Sequence, residues 1–134
     1  MRQASAVLLL AAALGGCGLN VQSADLFVVK RVGQGHTLTV LINDSGTISC
    51  NRGKPKQLAD PLLLQARDLA SALDKEAKAK LKISSSATSV FSYTIKLQDG
   101  TISFPDTAAS THHELAQAEL FTFQVAQRSC GLSG

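Results

Sequence analysis

Alternating hydrophobic and polar residues predict three β-strands in the first part of the chain. Residues 25–32 are rich in valine and phenylalanine, and residues 36–43 alternate leucine, valine and isoleucine with mostly threonine. Turns that contain glycine, at residues 33–35 and 44–46, separate these strands from each other and from a short third strand at residues 47–50. We therefore expect an antiparallel hairpin with one further strand.

The strongest strand pattern lies later in the chain, at residues 91–97. Phenylalanine, tyrosine, isoleucine and leucine alternate there with serine, threonine and lysine. Asp99-Gly100 follows, and residues 101–104 return as a second strand that Pro105 ends. Asp-Gly between two such runs is typical of a tight hairpin, because glycine readily adopts the positive φ that the turn needs.

Helical spacing predicts a first helix over residues 60–80. Aspartate at position 60 is a good N-cap, and proline at position 61 suits the first helical turn. The apolar residues that recur on one face of this helix are Leu62, Ala66, Leu69, Leu73 and Ala77.

A second helix is predicted over residues 112–129. Thr111 and Glu114 match a capping box at its start. Residues 119–125 also alternate as a strand would, so this part is open between helix and strand, although its length and the capping box favour helix.

The predicted element order is ββ(β)α–ββα. Hairpins followed by amphipathic helices are typical of an α+β domain, in which an antiparallel sheet carries its helices on one face. We expect a sheet of about four strands with two helices on one face. This single domain would span residues 25–134.

The first 16 residues have the pattern of a secretory signal peptide. Arg2 precedes a nine-residue apolar core at residues 6–14. A bilayer-spanning helix needs about 20 apolar residues, so this core is too short to cross and has the length of a signal-peptide core.

Leu14-Gly15-Gly16-Cys17 resembles the lipobox of bacterial lipoproteins. The resemblance implies cleavage before Cys17, diacylglycerol on its sulfur and usually acylation of the new amino terminus. Two or three acyl chains make a stable anchor, whereas one alone is marginal. The alternative is an ordinary signal peptide followed by a free thiol at Cys17.

The lipobox interpretation implies an extracytoplasmic, membrane-anchored protein. Residues 17–24 would be the lipidated cysteine and a short tether. In a bacterium with one membrane the protein would lie on the outer face of that membrane. In one with two membranes, Gly18 favours the outer membrane over the inner, because aspartate there would signal inner-membrane retention.

The charge balance excludes nucleic acid as an expected partner. Without Arg2, 12 basic and 10 acidic residues remain, a net charge of +2. The chain also has no tryptophan and one tyrosine, so it offers few surfaces on which bases would stack.

Cys50 and Cys130 form an even pair once Cys17 is lipidated. A disulfide is the default for such a pair in an oxidising compartment. A metal site and a reactive thiol are the alternatives, and both are disfavoured because the sequence has no Cys-x-x-Cys spacing.

Candidate catalytic and metal-binding residues do not form a recognisable set. His112 and His113 are adjacent and point about 100° apart on a helix, so with His36 they make a poor metal site. Asp99 and Asp106 would be an acid–base pair, but Asp99 is explained by its place in the Asp-Gly turn and Asp106 by its place in the loop after Pro105. The sequence has no Gly-x-Ser-x-Gly elbow and no complete glycine-rich nucleotide loop. We therefore expect no enzymatic activity, cofactor or metal.

Two features remain as possible contact surfaces. Basic residues at 30–31 and 52–56 would meet anionic headgroups or envelope polymer, or else be solvated loop charges. The serine-rich loop at residues 84–89 would be a binding loop or a plain linker.

The hairpin sequence at residues 89–95, with Asp99-Gly100 and residues 103–106, resembles the central hairpin of emfourin-type proteins. These are small bacterial inhibitors of thermolysin-like zinc proteases. The element order over residues 26–128 is similar as well, and the chain as a whole resembles small actinobacterial lipoproteins. The cysteine pair and the lipid anchor depart from the emfourin pattern, and the resemblance assigns no functional residues.

Three hypotheses for the function follow. The favoured one is a membrane-anchored, noncatalytic binding module, with an envelope protein or a protease as its partner, and protease inhibition is one form that this module would take. The alternative is a structural or assembly component of the cell envelope. A small hydrolase is the least favoured, because no catalytic set supports it.

Replacing Cys17 by serine should abolish acylation and release the protein from the membrane, because the thiolate is the attachment point. Intact-mass spectrometry and membrane fractionation would measure both effects. Ser23→Ala, a matched change in the tether, should leave them unaltered. A wild-type protein that carries no acyl mass would contradict the lipobox reading.

Overall fold

The computed structural model describes residue 21 and residues 24–132. The predicted signal peptide, the lipobox and Cys17 lie outside the described residues. The described chain is an α+β domain with an antiparallel sheet, which confirms the expected class.

The sheet has six strands rather than about four. Its spatial order is β4-β3-β2-β1-β5-β6, and every neighbouring pair is antiparallel. The strands are β1 Asp25–Gly33, β2 His36–Asn43, β3 Thr47–Cys50, β4 Lys56–Gln57, β5 Phe91–Leu97 and β6 Gly100–Pro105. The extra strand β4 begins at the last of the basic residues 52–56, and its two polar residues pair with β3 and give no alternation to detect.

One face of the sheet is buried and the other is solvated. The strand register places Phe27 and Val29 on the same face as Val40, Ile42 and Ile95, and all five are buried in the core. Serine, threonine and lysine dominate the opposite face. This is the one-sided burial expected of an antiparallel sheet covered on one face.

Three α-helices and one 3₁₀ helix occur among the described residues, where two helices were expected. They are α1 Asp60–Ala72, α2 Asp74–Lys78, the 3₁₀ helix Asp106–Ser110 and α3 His113–Arg128. Their buried residues join the same core cluster as the inner face of the sheet. In one such contact, the rings of Phe27 and Phe121 meet edge to face at 5.7 Å.

The predicted helix over residues 60–80 is divided at Leu73. Leu73 and Ala77 are both buried, and the division lets α2 pack against β6 while α1 packs against β1 and α3. The start also differs from the prediction, because Ala59 is the N-cap and accepts from the backbone N–H groups of Leu62 and Leu63.

The expected capping box at the start of α3 is wrong. His112 is the N-cap, and no side chain caps the helix. The hydroxyl of Thr111 instead lies 2.9 Å from His112 Nδ1 and 3.4 Å from the carbonyl oxygen of Ala108. Residues 119–125 are helical, since burial follows helical spacing there and leaves Phe123 43% exposed.

The register defines two ends of the sheet. The proximal end holds Asp25, where β1 begins, together with the β2–β3 and β5–β6 turns. The distal end holds the Gly33–His36 turn and Phe91, where β5 begins. The chain therefore enters the domain at the proximal end, where Asp44 N donates to Ala24 O at 2.8 Å.

Cys50 and Cys130 are joined in a disulfide with a Cα–Cα distance of 5.7 Å, as expected. The bond ties the residues after α3 to the end of β3. Because 80 residues separate the two cysteines, the closed loop includes β4, α1, α2, β5, β6, the 3₁₀ helix and α3.

Replacing both cysteines by serine should lower the free energy of unfolding by about 4–5 kcal/mol, because the bond restricts a long loop in the unfolded chain. Urea unfolding measures the change. Ser49→Ala, a neighbouring change on the solvated face, should cost less than about 0.5 kcal/mol. A double variant as stable as the wild type would show that the disulfide does not support the fold.

Candidate functional site

At the distal end, the buried face of the sheet extends beyond the helices and forms a pocket. Arg31, Leu38 and Phe91 continue the inner face, but Arg31 and Phe91 are only half-buried and the neighbouring His36 is exposed. The distal pocket has a volume of about 450 Å³. It is lined by Arg31, Gly33, Gln34, His36, Thr37, Leu38, Asn51, Phe91, Gly131 and Leu132.

A contact between Gly33 and Phe91 shapes one wall of the distal pocket. The two residues are register partners, and a Cβ atom on Gly33 would lie 2.5 Å from Phe91 Cδ1 and 2.4 Å from the carbonyl oxygen of Val90. Only glycine leaves room for the ring at this position. Asp106 fixes the same segment, since its carboxylate accepts from the backbone N–H groups of Val90 and Phe91 at 3.2 Å.

The Phe91 ring holds the guanidinium of Arg31. Arg31 Cζ lies 4.8 Å from the ring centroid, which is a cation–π contact. The ion pairs found in the described part of the chain involve Arg67 and Lys78, and none of them involves Arg31. Arg31 is thus positioned by the Phe91 ring and a hydrogen bond with Tyr93, and no described carboxylate pairs with it.

Tyr93 lies beside Arg31 on the inner face. Burial raises the pKa of Tyr93 to about 12, with a further increase from Glu119, while the charge of Arg31 and a hydrogen bond with it act in the opposite direction. Tyr93 also stacks on Phe104, with ring centroids 5.2 Å apart. The phenol therefore stays neutral at physiological pH.

Two turns with positive φ border the distal pocket. Gln34 has φ of 53°, and Asn51 and Arg52 have φ of 51° and 62°. Asn51 is fixed by a reciprocal pair of bonds with Thr39, in which Thr39 N donates to Asn51 Oδ1 at 2.9 Å and Asn51 N donates to Thr39 O at 2.7 Å. Left-handed conformations at residues other than glycine persist where surrounding contacts impose them.

Glu119, on α3, is a carboxyl group with an altered pKa that interacts electrostatically with Tyr93 and Asp106. Burial, and then the nearby charge of Asp106, raise the pKa of Glu119 to about 7. Its Oε1 is buried and has no hydrogen-bond partner among the described residues. Since the charged form is disfavoured, Glu119 carries a proton at mildly acidic pH.

The proximal end carries an acidic pocket of about 210 Å³. Asp25, Asp44, Asp74 and Asp99 line it. Arg67 pairs with Asp44 at 2.7 Å, and Lys78 pairs with Asp74 at 2.8 Å. Asp74 raises the pKa of Asp99 through a hydrogen bond, while Lys78 lowers the pKa of Asp74. Within residues 24–132, no group of three or more His, Cys, Asp or Glu residues could hold a metal ion.

A third concave surface lies between α1 and α3. This interhelical groove has a volume of about 450 Å³ and is lined by Gln65, Asp68, Leu69, Ala72, Gln117, Leu120, Phe121 and Gln124. Exposed apolar residues occur on both helices, since Leu64 is 59% exposed and Leu120 is 58% exposed. The groove offers shape and apolar contact but no cationic group.

The structure separates the candidate residues named from the sequence. Asp99 lies at the proximal end, and Asp106 follows β6 at the distal end, so they form no acid–base pair. His36 lies on the β1–β2 turn, whereas His112 and His113 lie at the start of α3. The serine-rich loop is braced internally, with hydrogen bonds of 3.0–3.2 Å that join Ser86 to Thr88 and Ser89.

The basic pair at residues 30–31 is also divided. Lys30 lies on the solvated face and Arg31 on the inner face, as the period of two in a strand requires. Sequence reasoning identified Arg31 only as a surface charge and missed Phe91 and Asn51 as pocket residues. The sequence did contain a signal for Arg31, because its spacing by two from Val29 and by four from Phe27 places it on their face of the strand.

No family model matches the chain, and no curated protein or solved structure shows significant similarity to it. Within the described residues, none of the helices is long and apolar enough to cross a bilayer.

At pH 8, Glu119→Gln should raise the midpoint temperature of thermal unfolding by a few degrees relative to the wild type. The folded pKa of about 7 lies above the ordinary value of 4.5. The wild type should therefore be most stable relative to the variant below pH 4.5 and lose that stability as pH rises through about 7.

Thermal unfolding from pH 4 to pH 8 would measure this effect. Glu114→Gln, in the first turn of the same helix, is the matched control and should keep the wild-type pH dependence. Identical pH profiles for wild type and Glu119→Gln would contradict the raised pKa.

Proposed function

We propose that this protein is a lipid-tethered, extracytoplasmic binding module without catalytic activity, and that it presents the distal pocket away from the membrane. The observation that carries the proposal is Arg31, a guanidinium in a pocket of about 450 Å³ that has no acidic partner among the described residues. Such concave sites with few placed polar groups are typical of ligand binding.

The position of the tether supports this orientation. With Cys17 lipidated, residues 18–24 would join the lipid to the start of β1, and seven extended residues reach about 23–25 Å. The chain enters at the proximal end, so the acidic pocket would face the membrane surface. Because the tether would hold this end of the domain toward the lipid, the distal end would face outward.

The geometry supports the binding role more than a structural role based on strand pairing. The bridge between Lys82 and Ser103 covers part of the β6 edge, with Ile83 N donating to Ser103 O at 2.9 Å. At the other edge β4 is a two-residue strand. Short or covered edges limit the pairing of a sheet with another chain.

A protease is one possible partner for the module, as the emfourin-like hairpin suggested. Three aromatic residues carry that resemblance. Tyr93 and Phe104 stack on each other within the core, and Phe91 lines the distal pocket. Packing therefore explains Tyr93 and Phe104, and support for inhibition must come from partner identification.

A photocrosslinking experiment tests the proposal in living cells. A photoreactive residue at the position of Lys54, in the loop after Asn51, should capture an envelope component several-fold more strongly than one at Ser45, in the proximal β2–β3 turn. Mass spectrometry would identify the captured component, and a zinc protease would favour inhibition. Equal capture from both positions, or none from Lys54, would contradict the proposed binding end.

A further inference from the structure

We infer that the distal pocket binds a small anion, a carboxylate or a phosphate, carried on an apolar body. The inference rests on the proposed function and adds the chemistry of the ligand. It begins with Arg31, which occupies a position on the inner face where the preceding residues, Phe27 and Val29, are buried and apolar.

The guanidinium of Arg31 is prepared for an anion. The cation–π contact with Phe91, in which Cζ lies 4.8 Å from the ring centroid, positions it without using a carboxylate. One hydrogen bond goes to Tyr93, and the remaining N–H donors of the guanidinium match the two oxygens of a carboxylate or phosphate. Since Gly33 seats the ring and Asp106 fixes the backbone of Phe91, the cation is positioned before a ligand arrives.

The charges around the pocket favour a negative ligand. The described residues that line it include Arg31 and His36 and no carboxylate. The four aspartates of the acidic pocket lie at the opposite end of the sheet. Asp106, also at the distal end, does not line the pocket, and its carboxylate accepts from the backbone N–H groups of Val90 and Phe91. An anion in the pocket therefore meets the Arg31 cation and lies far from the acidic cluster.

The remaining lining selects an apolar body of limited size. Leu38 and Phe91 provide apolar surface, and Leu132 is 37% exposed beside them. Asn51 uses Oδ1 to accept from Thr39 N, which leaves its amide nitrogen as a donor at the rim. A volume of about 450 Å³ suits a small molecule or the end of a chain.

Binding to the full-length protein in detergent tests the inference with three probes. N-acetylphenylalanine carries a carboxylate, phenyl phosphate carries a phosphate, and N-acetylphenylalanine amide is the neutral match of the first. Protein amide shifts in nitrogen-15 NMR would report the site and the affinity. We expect a Kd on the order of 1 mM for at least one anion, which is typical of a ligand of this size.

The shifts should concentrate at Gly33, His36 and Leu132, and the amide probe should bind at least tenfold more weakly than its acid. The anionic probe that binds more tightly shows whether the ligand's charged group is a carboxylate or a phosphate. Binding of the acid and the amide with equal affinity, binding of neither anion, or shifts confined to the interhelical groove would overturn the inference.

Arg31→Met should weaken anion binding at least tenfold, because it removes the charge and keeps an unbranched apolar side chain. Lys30→Met is the matched control, since it makes the same type of change one residue away on the solvated face and should leave affinity unchanged. Circular dichroism would check folding. The comparison of acid and amide on the wild-type protein stands even where Arg31→Met does not fold.

This result is separable from the proposed function. A component captured at Lys54 with no probe binding would leave the binding module in place and remove the small-anion site. Probe binding with unchanged affinity in Arg31→Met would show that another group holds the anion.

Discussion

The structure depends on one-sided burial, and strand β1 marks where that burial stops. Phe27 and Val29 lie under the helices, and the next residue on the same face is Arg31. A guanidinium in an apolar layer is costly unless it reaches water or a partner. Here the helix layer ends, Phe91 provides a surface for the cation, and the open end of the core becomes a pocket. The same alternation therefore produces both the core and the candidate site.

The position of this boundary is fixed by contacts distant in sequence. The Cys50–Cys130 disulfide holds the end of α3 against β3 and brings Gly131 and Leu132 to the rim of the pocket. Gly33 admits the Phe91 ring across two paired strands. Because covalent and steric constraints act on both sides, the pocket exists without a ligand. A preformed site loses less conformational entropy on binding than a flexible one.

The features that the sequence predicted are those with a local periodic signal. The hairpins, α3 and the α+β class follow from alternation and helical spacing, and the disulfide followed from cysteine counting. The break at Leu73 arises from tertiary packing, and β4 is too short to show a pattern. The pocket could not be predicted from the sequence, because the contact of Gly33 with Phe91 depends on the order of the strands in the sheet. The placement of Lys30 and Arg31 on opposite faces could have been predicted, since side chains alternate along a strand.

The most direct test of the account is the environment of the Arg31 guanidinium in the ligand-free protein. If the cation is held over Phe91, its side-chain proton resonances should show an upfield ring-current shift, and Phe91→Leu should remove that shift. Side-chain NMR of the arginine resonances measures it. Resonances of Arg31 at the positions of a freely rotating arginine, unchanged in Phe91→Leu, would contradict the claim that the fold positions this cation.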